Sequence, residues 1–297
     1  MTLDWRSDGA DWPNRTASHF VEAGGVRFHV QILGAGPPLL LLHGTGGATH
    51  GWADLAPALS HQFTVLAPDL PGHGFSTPLP GLATLPAMAE VVAALCDRVE
   101  VAPRLLVGHS AGAAIAVRMT LDGRAAPAGI VALNGALLPF PGAAAELFPG
   151  LARLLFLNPL TPHLLAWQAN LTDPGRFLAR ATGSRLPPQR TRLYGRLFRS
   201  PRHVAAALEM MANWDLAALR RDLPRLAVPL LLVAGSNDLA VPASTAREVA
   251  RLVPKARVHV MSGLGHLAHE EAPDETAGII LDFAREVMPE LAQDIPA

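Results

Sequence analysis

Six short apolar runs, "PLLLLHG", "FTVLAPDL", "RLLVGHS", "GIVALNG", "VPLLLVAGSND" and "ARVHVMSG", recur along the chain with longer helix-type patterns between them. Strands that are apolar on both faces belong inside a sheet covered on each side, and helical crossovers make such strands parallel. The intervening stretches "WADLAPALS", "LPAMAEVVAALCDRV", "AGAAIAVRMTLDG", "TAREVARLV" and "DETAGIILDFAREVM" read as those helices. Ahead of them, "HFVEAGGVRFHVQIL" (19–33) reads as a hairpin turning at Gly24 and Gly25. The pattern predicts an α/β fold with a mostly parallel central sheet flanked by helices. With 297 residues, 50% of them hydrophobic, the chain can bury a substantial core.

The alternation breaks once. From Leu138 to Arg225 the pattern is helical, rich in proline, and without a convincing strand. It reads as a helical cap inserted into the core, giving a first core part (1–137), the cap (138–225) and a second core part (226–297). The cap holds twelve arginines, no lysine and five acids, a surplus of seven positive charges. Arginine forks suit carboxylates, although the chain has one lysine in all, Lys255, so arginine also fills ordinary basic positions. The apolar half of the cap, "LFPGLARLLFLNPLTPHLLAW", is expected to line a hydrophobic cavity, with Trp167 and Phe156 as candidate substrate contacts, or to touch a membrane surface. A net charge of −1 supplies no global field for nucleic acid. No apolar run approaches the roughly 20 residues of a spanning helix, and the polar start lacks a secretory signal, so the expected location is cytoplasmic, with peripheral membrane contact the alternative. Cys96, the single cysteine, reads as a buried apolar residue.

"GHSAG" (108–112) matches G-x-S-x-G and lies between a predicted strand and a predicted helix. A sharp turn there pushes the Ser110 hydroxyl out at the carboxyl end of the sheet, while the glycines let strand and helix approach closely. A serine nucleophile needs a base, and histidine titrates nearest to working pH. Of twelve histidines, His266 in "SGLGHLAHEE" stands in a glycine-bracketed loop after the last strand, the end of the sheet where open α/β proteins place their sites. His269 is its local competitor; an H-x-x-H metal pair lacks further ligands nearby, so neither metal nor cofactor is expected. His19, His29, His61, His73, His163, His203 and His259 read as surface, packing or strand positions. Asp238, at the end of the buried run "LLLVAGSND", is the carboxylate to orient His266; the preceding strand ends in Asn134 instead of an acid. The glycines of "LLLLHGTGG" (39–47) let the amide of Thr45, with Gly46 as second candidate, face that of Ala111 as an oxyanion-binding pair.

Taken together, "HGTGG", "PDLPGHGFS", "GHSAG", "GSNDLAVP" and "GLGHLAHEE" resemble the α/β-hydrolase superfamily in content and order, over nearly the whole chain. The resemblance implies Ser110, Asp238 and His266 as a catalytic triad performing ester-type acyl hydrolysis. A serine nucleophile argues against the dehalogenase and epoxide hydrolase branches, which use aspartate there, and leaves esterases and carbon–carbon hydrolases as alternatives. "DWPN" (11–14), "FHVQILGAGPPLLLLHGTGGATHGW" (28–52), "DLPGHGFS" (69–76) and "GHSAGAAIAVRM" (108–119) resemble, more narrowly, the magnesium-chelatase accessory proteins of bacteriochlorophyll biosynthesis. That likeness implies work in or beside photosynthetic pigment synthesis, interaction with magnesium chelatase, and a tetrapyrrole or other hydrophobic acyl compound as substrate. It also admits a non-enzymatic accessory or pigment-binding role on a hydrolase fold.

Overall fold

The structure, a computed structural model, describes residues 3–139 and 158–292. Eight strands form one sheet: β1 (Ser18–Ala23), β2 (Val26–Leu33), β3 (Pro38–Leu42), β4 (Thr64–Pro68), β5 (Leu105–His109), β6 (Gly129–Leu133), β7 (Leu230–Gly235) and β8 (Ala256–Met261). Their spatial order is β1-β2-β4-β3-β5-β6-β7-β8. The 19–33 segment is the expected hairpin, antiparallel within itself and to β4. Every pairing from β4 to β8 is parallel.

The strands read as unbroken apolar runs because alternate residues feed two different cores. Leu40, Leu42, Leu66, Leu106, Ile130 and Leu232 pack with the helices Leu85–Arg98 and Ala111–Leu121 on one face. Leu39, Leu41, Val65, Leu105, Val107, Val131 and Val233 pack with the helices Leu55–Ser60 and Pro273–Val287 on the other. Cys96 is buried in the first of these cores, and burial pushes its thiol up to about 12, which leaves it unreactive.

Strand order reverses at β3, whose neighbours are β4 and β5. The loops after β3 and β5 therefore diverge from adjacent strand ends, where an open α/β sheet has its crevice. Between β6 and β7 the chain forms five α-helices among the described residues: Thr161–Gln168, Pro174–Thr182, Pro188–Phe198, Pro201–Asn213 and Leu216–Asp222. An N-terminal segment straps the third of these to the core. Asp11 pairs with Arg192 and Arg196, while Trp12 donates to Thr49 Oγ1 at 2.9 Å. No helix among the described residues is long and apolar enough to cross a membrane.

The strand–turn–helix at 105–121 closes only because two positions have no side chain. A Cβ on Gly108 would lie 2.4 Å from the Ala113 nitrogen, and one on Gly112 would lie 2.0 Å from the Leu42 carbonyl oxygen. Both obstacles are backbone, which cannot rotate away. Gly112→Ala is expected to destabilise the protein by about 3 kcal/mol, the upper part of the overpacking range. A denaturant midpoint equal to wild type would contradict that close approach.

Candidate functional site

Ser110 follows β5 with φ 51° and ψ −115°, a strained conformation for a residue with a side chain. Its own N–H is anchored on the Leu133 carbonyl at 2.9 Å. Surrounding structure thus over-determines the turn and projects the half-buried hydroxyl from the strand end. Among the described residues, Ser110 Oγ makes no hydrogen bond.

His266 and Asp238 are brought together from the loops after β8 and β7. His266 Nδ1 lies 2.8 Å from Asp238 Oδ2, and the residues are 7% and 6% exposed. The carboxylate can only accept, so the imidazole proton is on Nδ1 and Nε2 keeps a lone pair. Asp238 is held by three further donors: Asn134 Nδ2 at 2.7 Å on Oδ2, and the Ala240 and Val241 amides at 2.8 Å each on Oδ1. Asn134, with φ 49°, directly follows β6 and contributes beside Asp238. The backbone of His266 is tied as well, its N–H donating to the Thr182 carbonyl at 2.9 Å. An imidazole fixed in this tautomer can take a proton from a hydroxyl presented to Nε2.

The loop after β3 is braced by two histidines. The Leu70 amide donates to His43 Nε2 at 2.8 Å, so His43 carries its proton on Nδ1 and donates it to the Gly44 carbonyl, also at 2.8 Å. Gly44 C=O and Thr45 N–H belong to one trans peptide and point in opposite directions. Fixing the carbonyl therefore aims the Thr45 amide away from His43. His203 does the complementary job two residues further on: it accepts from Gly74 N–H at Nδ1 (3.0 Å) and donates from Nε2 to Gly46 O (3.1 Å). Burial keeps both rings neutral, pulling His43 below the usual histidine value and His203 to about 4. Neither the Thr45 nor the Ala111 N–H donates to a described residue, and Ala111 opens its helix, where an amide has no intrahelical partner.

The structure corrects the reading of several histidines as peripheral. His29, His73 and His203 are fully or almost fully buried. His29 pairs with Asp69 at 2.8 Å, and that carboxylate also accepts the Thr49 and Phe75 amides. His109, inside "GHSAG", faces His266 O from Nε2 at 3.0 Å and packs between the His266 and His269 rings at tilted angles, with centroids at 4.8 and 4.5 Å. His269 is buried and pulled to about 3 by burial and by the nearby His266. Among the described residues no cluster of three or more His, Cys, Asp or Glu is placed to hold a metal ion. Trp167 is 61% exposed on the helix Thr161–Gln168. Phe156 lies outside the described residues.

A second polar cluster adjoins this region. Tyr194 donates to Glu270 Oε1, the Tyr194 and His50 rings meet with centroids 4.4 Å apart, and His269 Nε2 lies 4.0 Å from Glu270 Oε1. Burial pushes the Glu270 carboxyl up to about 8. The folded state thus keeps a proton that the unfolded chain releases near 4.5, so this stabilisation is complete below 4.5 and disappears as pH rises through 8. Glu270→Gln mimics the protonated acid, and its stability relative to wild type is expected to climb by about 1.4 kcal/mol per pH unit as pH is raised from 6 toward 8, read as a widening gap between the two melting temperatures. Parallel melting curves at both pH values would contradict a protonated Glu270.

Comparison with known proteins agrees with this architecture. The family model described as the alpha/beta hydrolase fold matches residues 37–273. The chain belongs to the alpha/beta hydrolase family. A magnesium-chelatase 30 kDa subunit of Rhodobacter capsulatus is 40% identical over 285 residues, 95% of this chain and 99% of that one. The narrower resemblance found in the sequence is thereby borne out. A pimeloyl-[acyl-carrier protein] methyl ester esterase of Xanthomonas oryzae pv. oryzae is 30% identical over 87% of this chain and 99% of that one. Among solved structures, a thermophilic esterase from Thermogutta terrifontis superposes with a TM-score of 0.73 at 27% identity, covering 91% of this chain and 99% of that chain.

Proposed function

We propose that this alpha/beta hydrolase is a serine hydrolase of ester-type acyl bonds, acting in or beside bacteriochlorophyll biosynthesis at the magnesium-chelatase stage. The observation that carries the reading is the buried His266–Asp238 pair, with Nε2 left as the acceptor, in a chain whose positive-φ serine opens the helix after β5. A pure binding module has no use for a strained elbow serine. Ser110 attacks the acyl carbon while His266 Nε2 accepts its proton, and Asp238 stabilises the imidazolium that forms. The amides of Thr45 and Ala111 receive the negative charge on the carbonyl oxygen, a contribution worth several kcal/mol of barrier. His266 then returns the proton to the leaving alkoxide, and a water molecule activated by the same imidazole releases the acyl group. The helices between β6 and β7 serve as the cap over the acyl chain, with Trp167 and Phe156 as its aromatic contacts. A tetrapyrrole or derivative is the substrate class that fits the chelatase relative, and metal and cofactor have no part in this scheme.

Turnover of an ester and thioester panel that disappears in Ser110→Ala tests the reading; a folded wild type that turns over no member contradicts it. One observation favours a second reading, an accessory protein that binds the chelatase or its pigment. Leu164 and Trp167 on the helix Thr161–Gln168, with Leu160 before it and Leu171 after it, are 61 to 72% exposed, large apolar side chains that a partner would cover. Chelatase capture that survives Ser110→Ala, together with an unreactive serine, is the result that reading expects.

A further inference from the structure

His109 touches more of the site than its place in "GHSAG" suggests. It ends β5, and its Nε2 lies 3.0 Å from the His266 carbonyl oxygen. A carbonyl only accepts, so the His109 proton is on Nε2 and Nδ1 keeps a lone pair. Burial pulls this ring well below the usual histidine value and keeps it neutral. The rings of His266 and His269 pack against it, and His269 packs in turn on Trp52, with centroids 4.8 Å apart. The Nδ1 edge meets Gly44, where a Cβ would lie 2.9 Å from His109 Nδ1 and 2.8 Å from Ser110 Cβ.

One residue thus joins three parts of the site. It is the chain neighbour of the residue carrying the hydroxyl, is hydrogen-bonded to the residue carrying the base, and abuts the loop carrying the Thr45 amide. The bond to His266 falls at a telling place. The His266 N–H is held by the Thr182 carbonyl and the Leu267 N–H by Ser184 Oγ at 2.8 Å, both on the chain between β6 and β7. The carbonyl between these two amides is held from the sheet, by His109. The Nδ1 bond sets where the His266 ring stands relative to Asp238, whereas its distance from Ser110 depends on the backbone from which the ring projects. Rates are steep in such distances: a misplacement of about 1 Å can cost a hundredfold.

We propose that His109 is a positioning residue whose Nε2–H holds the His266 carbonyl, so that the imidazole stands at a fixed distance from the Ser110 hydroxyl. The inference rests on the serine-hydrolase reading for the rate it affects, but not for the placement of His266. The His109 lone pair faces Gly44 and receives no proton during turnover. Loss of the bond therefore acts through His266, on kcat and not on KM.

Two variants of similar length, tested in the full chain, separate the hydrogen bond from packing. His109→Gln keeps an N–H donor close to the place of Nε2, and His109→Met fills similar space without one. On a p-nitrophenyl ester, His109→Met is expected to lose about tenfold or more in kcat relative to His109→Gln, with KM unchanged. The far-downfield proton resonance of His266 Nδ1–H, assigned by its loss in His266→Ala, reads the His266–Asp238 pair without any turnover. It is expected to be sharp in wild type and His109→Gln, and shifted or broadened by exchange in His109→Met. His109→Phe, which keeps a ring and drops the donor, replaces His109→Met if that variant does not fold. If wild type cleaves no ester while the resonance still separates the two variants, the hydrolase reading fails and the positioning role stands. Measurable and equal kcat in His109→Gln and the variant without a donor, a loss confined to KM, or a resonance identical in the two would each overturn the proposal.

Discussion

Replacing Ser110 or His266 with alanine is expected to lower turnover of a short-chain p-nitrophenyl ester by about ten-thousand-fold or more, with the fold intact. The size follows from how the groups depend on one another. Without His266 the serine hydroxyl keeps its proton and remains a weak nucleophile; without Ser110 the base has nothing to activate except water. The double variant should therefore be no slower than the worse single one, since each loss already removes the shared function. Residual rate would come from the Thr45 and Ala111 amides acting on a bound ester. Initial rates for the two single variants and the double, alongside far-ultraviolet circular dichroism, check this. A folded Ser110→Ala retaining a rate within about tenfold of wild type would remove Ser110 from the chemistry.

The second large effect concerns acid. Burial holds His50 at about 3, His203 at about 4 and His269 at about 3, against an unfolded value of 6.5. A histidine whose folded pKa is depressed contributes stability above the unfolded value and loses it as pH falls, because the unfolded chain takes up a proton that the fold refuses. Each costs about 1.4 kcal/mol per pH unit between 6.5 and its folded value. Glu270 works in the opposite sense between 4.5 and 8 and cancels one of the three, leaving about 3 kcal/mol per unit. His43, His73 and His109, also depressed by burial, steepen the loss. A domain stable by about 5 to 15 kcal/mol should therefore unfold cooperatively on acidification between roughly pH 5.5 and 4. Tryptophan fluorescence and melting temperature recorded from pH 7 to 4 measure it. Melting temperatures level from 6.5 to 4.5 would show these histidines to be solvated.

Much of this molecule is legible in its residues. All eight strands and the five flanking core helices follow from short apolar runs bounded by turn residues, since double-sided burial leaves a signal that needs no partner information. The serine turn is equally local: two glycines and a serine between a strand and a helix fix the geometry within five residues. Asp238 and His266 are identified by their places at strand ends, and the structure sets their side chains 2.8 Å apart. What the sequence conceals is contact between distant elements. His203 lies 157 residues from Gly46 and looks like an ordinary cap side chain, yet it braces the loop after β3. His73 stands in a loop of prolines and glycines that suggests solvent, but the helix Pro201–Asn213 covers it. Asn134 entered the sequence reading only as a position without an acid, and its donation to Asp238 shows only once the ends of β6 and β7 lie side by side.

The most direct test of the central claim is intact mass after exposure to a fluorophosphonate, which phosphonylates a serine only when a neighbouring base has activated it. One adduct on wild type, located at Ser110 and absent from both Ser110→Ala and His266→Ala, is the expected result. A folded wild type that gains no mass, or gains it equally in His266→Ala, would contradict an activated serine at this site.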